Sequence, residues 1–202
     1  MNTAEIHYSQ SELAKLRKQA YKWLDKRRIP HVQGCEEAAV KLSARWGENP
    51  EAAAAAAILH DCTKNKTERE QMDLLLQYGI TCDDALLAAP QLYHALTGAA
   101  VARDVFSMPE AICSAIRWHT TGKPDMTLLE KIIYLADYIE PTRNFPGLEP
   151  LRQCAFEDLD AAVVLGLSMT MDEVRSKGRE PYYLTKQAYE FYKERNRTNA
   201  FS

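Results

Sequence analysis

The dipeptide His60-Asp61 closes the run Ala52 to Leu59, and Lys64 follows one turn later. So apolar a helix has no structural need for a titratable pair at its end. Four of the five histidines, His31, His60, His94 and His119, fall in segments of helical pattern or at their ends, and Asp137 interrupts another apolar stretch. Imidazole and carboxylate together suit borderline divalent ions such as iron, manganese, cobalt, nickel and zinc. Two or three histidines with carboxylates, leaving coordination positions to water, form a common catalytic arrangement. Neighbouring helix residues point about 100° apart, so His60 and Asp61 share an ion only where it sits over the helix edge between them. Asp137, flanked by Ile132, Ile133, Leu135, Ala136 and Ile139, is costly to bury unpaired, so a metal or a salt bridge to Arg143 or Arg117 must face it. Lys64 can bind phosphate or assist proton transfer, or it is simply a solvated lysine at a helix end. Any one histidine alone is more often structural; the five residues together are what point to a metal.

The elements that must position these residues all read as helix. Residues 10–27 place Leu13, Leu16, Ala20, Trp23 and Leu24 at three- and four-residue spacing, with Ser11 and Glu12 as the start. Pro30 and His31 reopen the chain into a stripe of Val32, Cys35, Ala39, Leu42 and Trp46 that Gly47 ends, which puts His31 in a first turn. Asn49-Pro50-Glu51 supplies an N-cap, a first-turn proline and an acid ahead of the alanines. A short helix over 67–78 stops at Gly79, and 90–106 forms another that carries His94. Pro109-Glu110 opens a segment with His119 in its last turn, before Gly122 and Pro124. Thr127 and Glu130 have capping-box spacing ahead of LLEKIIYLADYIE, which places Asp137 late in that helix. Residues 141–150 read as irregular, 156–175 as one helix, and a final helix begins near Pro181. The fold class is therefore all-α.

With 202 residues, 46% of them hydrophobic, the chain is long enough to bury a substantial core as one domain. A net charge of -3 gives no broad basic footprint, so nucleic acid is not expected as a partner. No run approaches the roughly 18 apolar residues of a membrane span, and the first residues lack a signal-peptide core. No membrane association is expected, and the protein is expected to be cytoplasmic. Five cysteines without a C-x-x-C pair fit reduced thiols, and they read as small core or surface residues without chemistry.

The order His31, His60-Asp61, Asp137 resembles the HD-domain metal-dependent phosphohydrolases. The words HVQG, ILHDCTK, YHALTGA, RWHTTG, LADYIEPTR and EPYYLT resemble more narrowly the YqeK family of bacterial symmetrical diadenosine tetraphosphate hydrolases. The resemblance runs from about residue 12 to residue 192 and implies a single-domain helical bundle of HD type over 1–202. It implies a metal, usually iron, held by His31, His60, Asp61 and Asp137. Substrate contacts would fall on three of those ligands, His31, Asp61 and Asp137, on His94, His119, Thr120 and Arg143, and on Glu180, Pro181, Tyr182, Tyr183, Leu184 and Thr185. Asp61, Lys64, His94 and His119 would carry the catalytic roles, and a homodimer is compatible with the resemblance.

The implied reaction is hydrolysis of diadenosine tetraphosphate by metal-activated water, giving two ADP. A divalent ion lowers the pKa of bound water and stabilises charge on phosphoryl oxygens, so no protein nucleophile is required. Arg143, with His94 and His119 if protonated or donating, would neutralise the polyphosphate. Tyr182 and Tyr183 either flank a base or ribose or belong to the core. Two other functions stay open: an HD-type phosphatase of another nucleotide, and a non-catalytic nucleotide-binding sensor.

Overall fold

Six consecutive alanines and the Ile58-Leu59 that follows form a helix that is apolar on every side, and such a helix is stable only when surrounded. It is surrounded. The computed structural model describes residues 3–199, so the outermost residues of the expected domain lie outside the described residues. The helices are α1 (Gln10–Ala20), α2 (Ile29–Trp46), α3 (Pro50–Leu59), α4 (Glu68–Gln77), α5 (Asp84–Leu87), α6 (Tyr93–Asp104), α7 (Glu110–Trp118), α8 (Leu128–Ile139), α9 (Leu148–Glu157), α10 (Leu159–Ser176) and α11 (Tyr183–Asn199). No strand occurs among the described residues, and no helix is long and apolar enough to cross a membrane.

Methyl side chains let α1, α2, α7 and α8 all pack against α3, and Ala52 to Leu59 are buried without exception. Asn49 starts α3, its side-chain oxygen accepting from the amides of Glu51 and Ala52 at 2.8 and 3.2 Å. Its side-chain amide donates to the carbonyls of Thr3 and Ile6, fastening the N-terminal segment to the same point. The main core continues through α8, α10 and α11. Leu75, Leu86 and Tyr93 form a smaller apolar cluster under α4 to α6.

Several sequence expectations shift. The first helix is capped by Ser9 rather than Ser11, through a capping box with Glu12. It ends at Ala20, and the remainder of the expected 10–27 span is two 3-10 turns, the second capped by Asp25. The expected helix over 156–175 is two helices, because Asp158 leaves the helical conformation and caps α10 by accepting from the amide of Ala161. The irregular stretch is correspondingly shorter, with α9 beginning at Leu148 after Gly147 in a left-handed conformation. The final helix starts at Tyr183.

The end of α8 has a dedicated clamp. Arg152, on α9, donates to the carbonyls of Ile139, Glu140 and Arg143 at 3.0, 2.8 and 3.3 Å. Carbonyls at a helix C-terminus have no partner within the helix, so these bonds fix the direction in which the chain leaves α8.

Because α3 is enclosed on all sides, its alanines have no room to grow. Ala55→Leu should cost about 1 to 3 kcal/mol of stability through overpacking. Urea unfolding checks this, with retained helical circular dichroism showing that the fold survives; an unchanged midpoint would mean that the packing around α3 is loose.

Candidate metal centre

The site assembles where α3 runs out. His60 is the C-terminal cap of α3 and Asp61 follows it, each with only 1% of its surface exposed. The first turn of α2 brings His31, the first turn of α6 brings His94, the C-terminal cap of α7 is His119, and the last turn of α8 brings Asp137. Five helices therefore converge on one point.

Three of the four imidazoles are tethered in the same way. Nδ1 of His60, His94 and His119 donates to the carbonyl three residues earlier, that of Ala57, Gln91 and Ile116, at 2.7, 2.9 and 2.6 Å. The fourth, His31, donates from Nδ1 to Glu140 Oε1 at 3.1 Å. With Nδ1 spent as donor, each ring turns an Nε2 lone pair inward. His31 Nε2 stands 3.3 Å from His60 Nε2, and His94 Nε2 stands 3.1 Å from His119 Nε2. Two lone pairs at that distance repel unless a proton or a cation lies between them. Burial opposes protonation of His60, but the carboxylate of Asp61 raises it well above its ordinary value, and His31 is raised too, so a proton serves the first pair when no ion does.

The carboxylates complete the arrangement. Asp137 Oδ1 is 3.1 Å and Asp61 Oδ2 is 3.6 Å from His31 Nε2, and Asp61 Oδ2 is 3.4 Å from His60 Nε2. The other oxygen of Asp61 faces the second pair, 3.3 Å from His94 and 3.7 Å from His119. Thus His31, His60, Asp61 and Asp137 meet around His31 Nε2, and His94 and His119 sit across Asp61 from them. Nitrogen and oxygen donors of these types fit a borderline divalent ion.

Electrostatics sorts the groups. Burial opposes ionisation of Asp61 and Asp137, yet the histidines around them, with Arg143 beside Asp137, hold both well below the usual carboxylate range. For His31, burial works against the charged form, but the hydrogen bonds to Asp137 and Cys35 prevail and carry its pKa up to about 9. His119 goes the other way, pushed down to about 3 by burial and by His94 and His60, and His94 is lowered by burial too. These two rings are neutral at ordinary pH. Of the two expected routes by which they would meet a polyphosphate, as protonated or as donating rings, these shifts disfavour the protonated one, and Arg28 and Arg143 bring positive charge to the centre.

Arg143 donates to Asp137, from Nη2 to the carboxylate at 2.6 Å and from Nε to the backbone carbonyl at 3.0 Å. Arg117, the other expected partner, lies instead over the Trp118 ring. Lys64 Nζ is 3.3 Å from His94 Nε2, at the same centre. Thr120, next to His119, has a buried hydroxyl without a hydrogen-bond partner. It borders three cavities. One, about 560 Å³, is lined by His119, Asp137, Arg143 and Phe145; a second, about 420 Å³, by Glu180, Pro181, Tyr182, Tyr183 and Thr185. Leu184 faces a third, about 250 Å³, that Thr120 also borders. The 180–185 segment thus shares cavities with Thr120, the neighbour of His119, and the Glu180 carboxylate pairs with Lys186.

Sequence reasoning missed Arg28 and Glu140. Arg28 donates from Nε to Asp61 Oδ2 at 2.6 Å, three residues ahead of His31. Glu140 is fully buried and accepts from the amide and hydroxyl of Thr142, both at 2.6 Å, as well as from His31. Gly34 is what admits it, because a Cβ there would lie 2.4 Å from Glu140 Oε2. The signal available was a glycine one turn after His31 and a glutamate one turn after Asp137.

Comparison with known proteins agrees with this geometry. The HD-domain family model matches residues 28–142, more than half of the chain. This chain belongs to the HD-domain family. The HD match begins at Arg28 and ends just past Glu140, so it spans His31, His60, Asp61, His94, His119 and Asp137. A protein of Halalkalibacterium halodurans is 38% identical over 167 residues, covering 82% of this chain and 89% of the relative. One of Bacillus subtilis is 40% identical over 149 residues, 73% of this chain and 80% of the relative. Both are named symmetrical bis(5'-nucleosyl)-tetraphosphatase, in keeping with the YqeK-type motif words. The crystal structure of a predicted HD superfamily hydrolase involved in NAD metabolism, from Clostridium acetobutylicum, superposes with a TM-score of 0.87 at 34% identity, covering 94% of this chain and all of that one.

Two outcomes follow for the HD centre. Glu140→Ala should weaken metal affinity by about 10- to 100-fold, as loss of a partner that orients a ligating histidine does, with Glu140→Gln retaining part of it; competition with a chelator measures this. In the metal-free protein, His31 with its raised pKa contributes stability that is fully present below about pH 6.5 and lost as pH rises through about 9. Melting temperatures of metal-free protein should fall across that range, and His31→Gln should flatten the fall.

Proposed function

We propose that this chain is a metal-dependent hydrolase that splits diadenosine tetraphosphate at its middle to give two ADP. One observation carries the reading: ionised Asp61 and Asp137 and four inward Nε2 atoms converge beside cavities bordered by Arg143, Thr120 and the 180–185 segment. The names of the relatives supply the substrate class. His31, His60, Asp61 and Asp137 would hold the ion, which is iron in this reading. When bound, a divalent ion acidifies water and stabilises charge on phosphoryl oxygens.

The chain's own residues do the positioning. Glu140 fixes the proton of His31 on Nδ1, leaving Nε2 free to ligate. Neutral His94 and His119 present Nε2 as acceptors, which suits them to orient a water rather than to neutralise phosphate. Arg143 and Lys64 supply positive charge at the rim, and a guanidinium offers phosphate a planar pair of donors. The Thr120 hydroxyl, buried and unpartnered, is free to bond a substrate oxygen. Both cavities border Thr120, one of them reaching His119, Asp137 and Arg143, and a substrate with two nucleoside ends would occupy the pair.

The test is product analysis with freshly purified, metal-loaded protein. ADP as the sole product of diadenosine tetraphosphate supports the reading. ATP with AMP, or preference for a mononucleotide or for a dinucleotide with a shorter phosphate bridge, assigns the chain to another nucleotide hydrolase. Tight metal and nucleotide binding without turnover marks a sensor. Asp61→Ala and Asp137→Ala should each lose metal and turnover while keeping helical circular dichroism; normal activity in either removes the site.

A further inference from the structure

His31 has a further close neighbour to which no part in holding a metal has been given. Cys35, one turn further along α2, is 1% exposed, and its Sγ lies 3.4 Å from His31 Nε2, closer than to Nδ1 at 3.9 Å. That Nε2 is the atom that faces Asp137 at 3.1 Å and His60 at 3.3 Å. The donor atoms of His31, Cys35, His60 and Asp137 all lie within 4.8 Å of one another. The sulfur therefore belongs to the same donor cluster as three of the expected ligands.

We propose that Cys35 is a further metal ligand of this centre, its sulfur giving the site a preference for softer divalent ions. The proposal rests on the metal reading of the site and names a donor outside the histidine and aspartate set. It departs from the expectation that all five cysteines lack chemistry.

Helix geometry makes the contact a natural one. Residues i and i+4 lie on one face, so a first-turn histidine and a cysteine four residues on can reach a common ion. Ion–nitrogen and ion–sulfur bonds of about 2.05 and 2.3 Å separate the two donors by about 3.1 Å at a right angle and about 3.6 Å at a tetrahedral angle. The observed 3.4 Å falls between those limits. Without an ion, the protonated Nε2 of His31 faces the Cys35 sulfur as well as Asp137. An ion held here would displace the Nε2 proton of His31 and the thiol proton of Cys35 to solvent, because both donors bind a metal only when deprotonated. A soft sulfur donor favours zinc, iron(II) and cobalt(II) over manganese and magnesium. Cys62, next to Asp61 in sequence, is no rival, since its Sγ faces the Gly98 carbonyl at 3.9 Å.

Cobalt(II) provides the readout. Cobalt-loaded protein should show an intense sulfur-to-cobalt charge-transfer band in the near ultraviolet that Cys35→Ala abolishes and Cys62→Ala keeps. Cys35→Ala should also lower the ratio of zinc to manganese affinity by at least about tenfold, the lower end of what even an outer partner of a metal site contributes. A measurement that needs no variant is X-ray absorption at the edge of the bound metal, which should reveal a sulfur neighbour at about 2.3 Å. Cobalt-loaded protein with no sulfur neighbour and no such band overturns the proposal while leaving His31, His60, Asp61 and Asp137 as the ligands. Protein that takes up no metal at all overturns both.

Discussion

Everything around the centre answers one electrostatic problem: inward imidazole nitrogens and two carboxylates, one buried and one half-buried, are packed within a few ångströms of one another and require positive charge between them. Asp61 is almost wholly buried, and its Oδ2 alone faces His31, His60 and Arg28. Burying a carboxylate without positive partners is prohibitive, and two imidazole lone pairs in contact add repulsion to that cost. The raised pKa of His31 and the guanidiniums on Asp61 and Asp137 show the molecule recruiting whatever positive charge lies within reach. A divalent cation meets the same demand with one particle.

The scaffold earns its shape from that demand. A helix of small side chains lets its neighbours come close on all sides, so residues from five helices reach a single point at its end. Backbone carbonyls near His60, His94 and His119 each capture a ring proton, which sets the rotation of the imidazoles without any further side chain. Only His31 needs an outside carboxylate. That need accounts for the glycine at position 34, the turn that closes Glu140 onto Thr142, and the Arg152 clamp that holds the end of α8.

Much of this was legible in the sequence, because strong local rules acted alone. Asn49-Pro50 and the Thr127/Glu130 box start helices where they are expected to, and the spacing of His31, His60, Asp61 and Asp137 places them on helix ends that the fold brings together. Boundaries slipped where two local rules competed. Trp23 and Leu24 continue the apolar stripe of α1, but the chain has already tightened into 3-10 turns; Asp158 sits within an apolar pattern yet leaves the helix to cap the next one. Partners such as Glu140 for His31, 109 residues apart, carry no local signal at all. Their chemistry exists only once α2 and α8 lie side by side. The neutrality of His94 and His119 was hidden for the same reason, since burial and mutual repulsion are properties of the assembled core.

Asp61 turns one oxygen toward His31 and His60 and the other toward His94 and His119. A single side chain torsion therefore links two nitrogen pairs, and neither pair can be retuned alone. A perturbation that draws Asp61 toward His94 loosens its grip on His60, and the reverse holds equally. The two halves of the pocket behave as arms of one balance with a carboxylate for its beam.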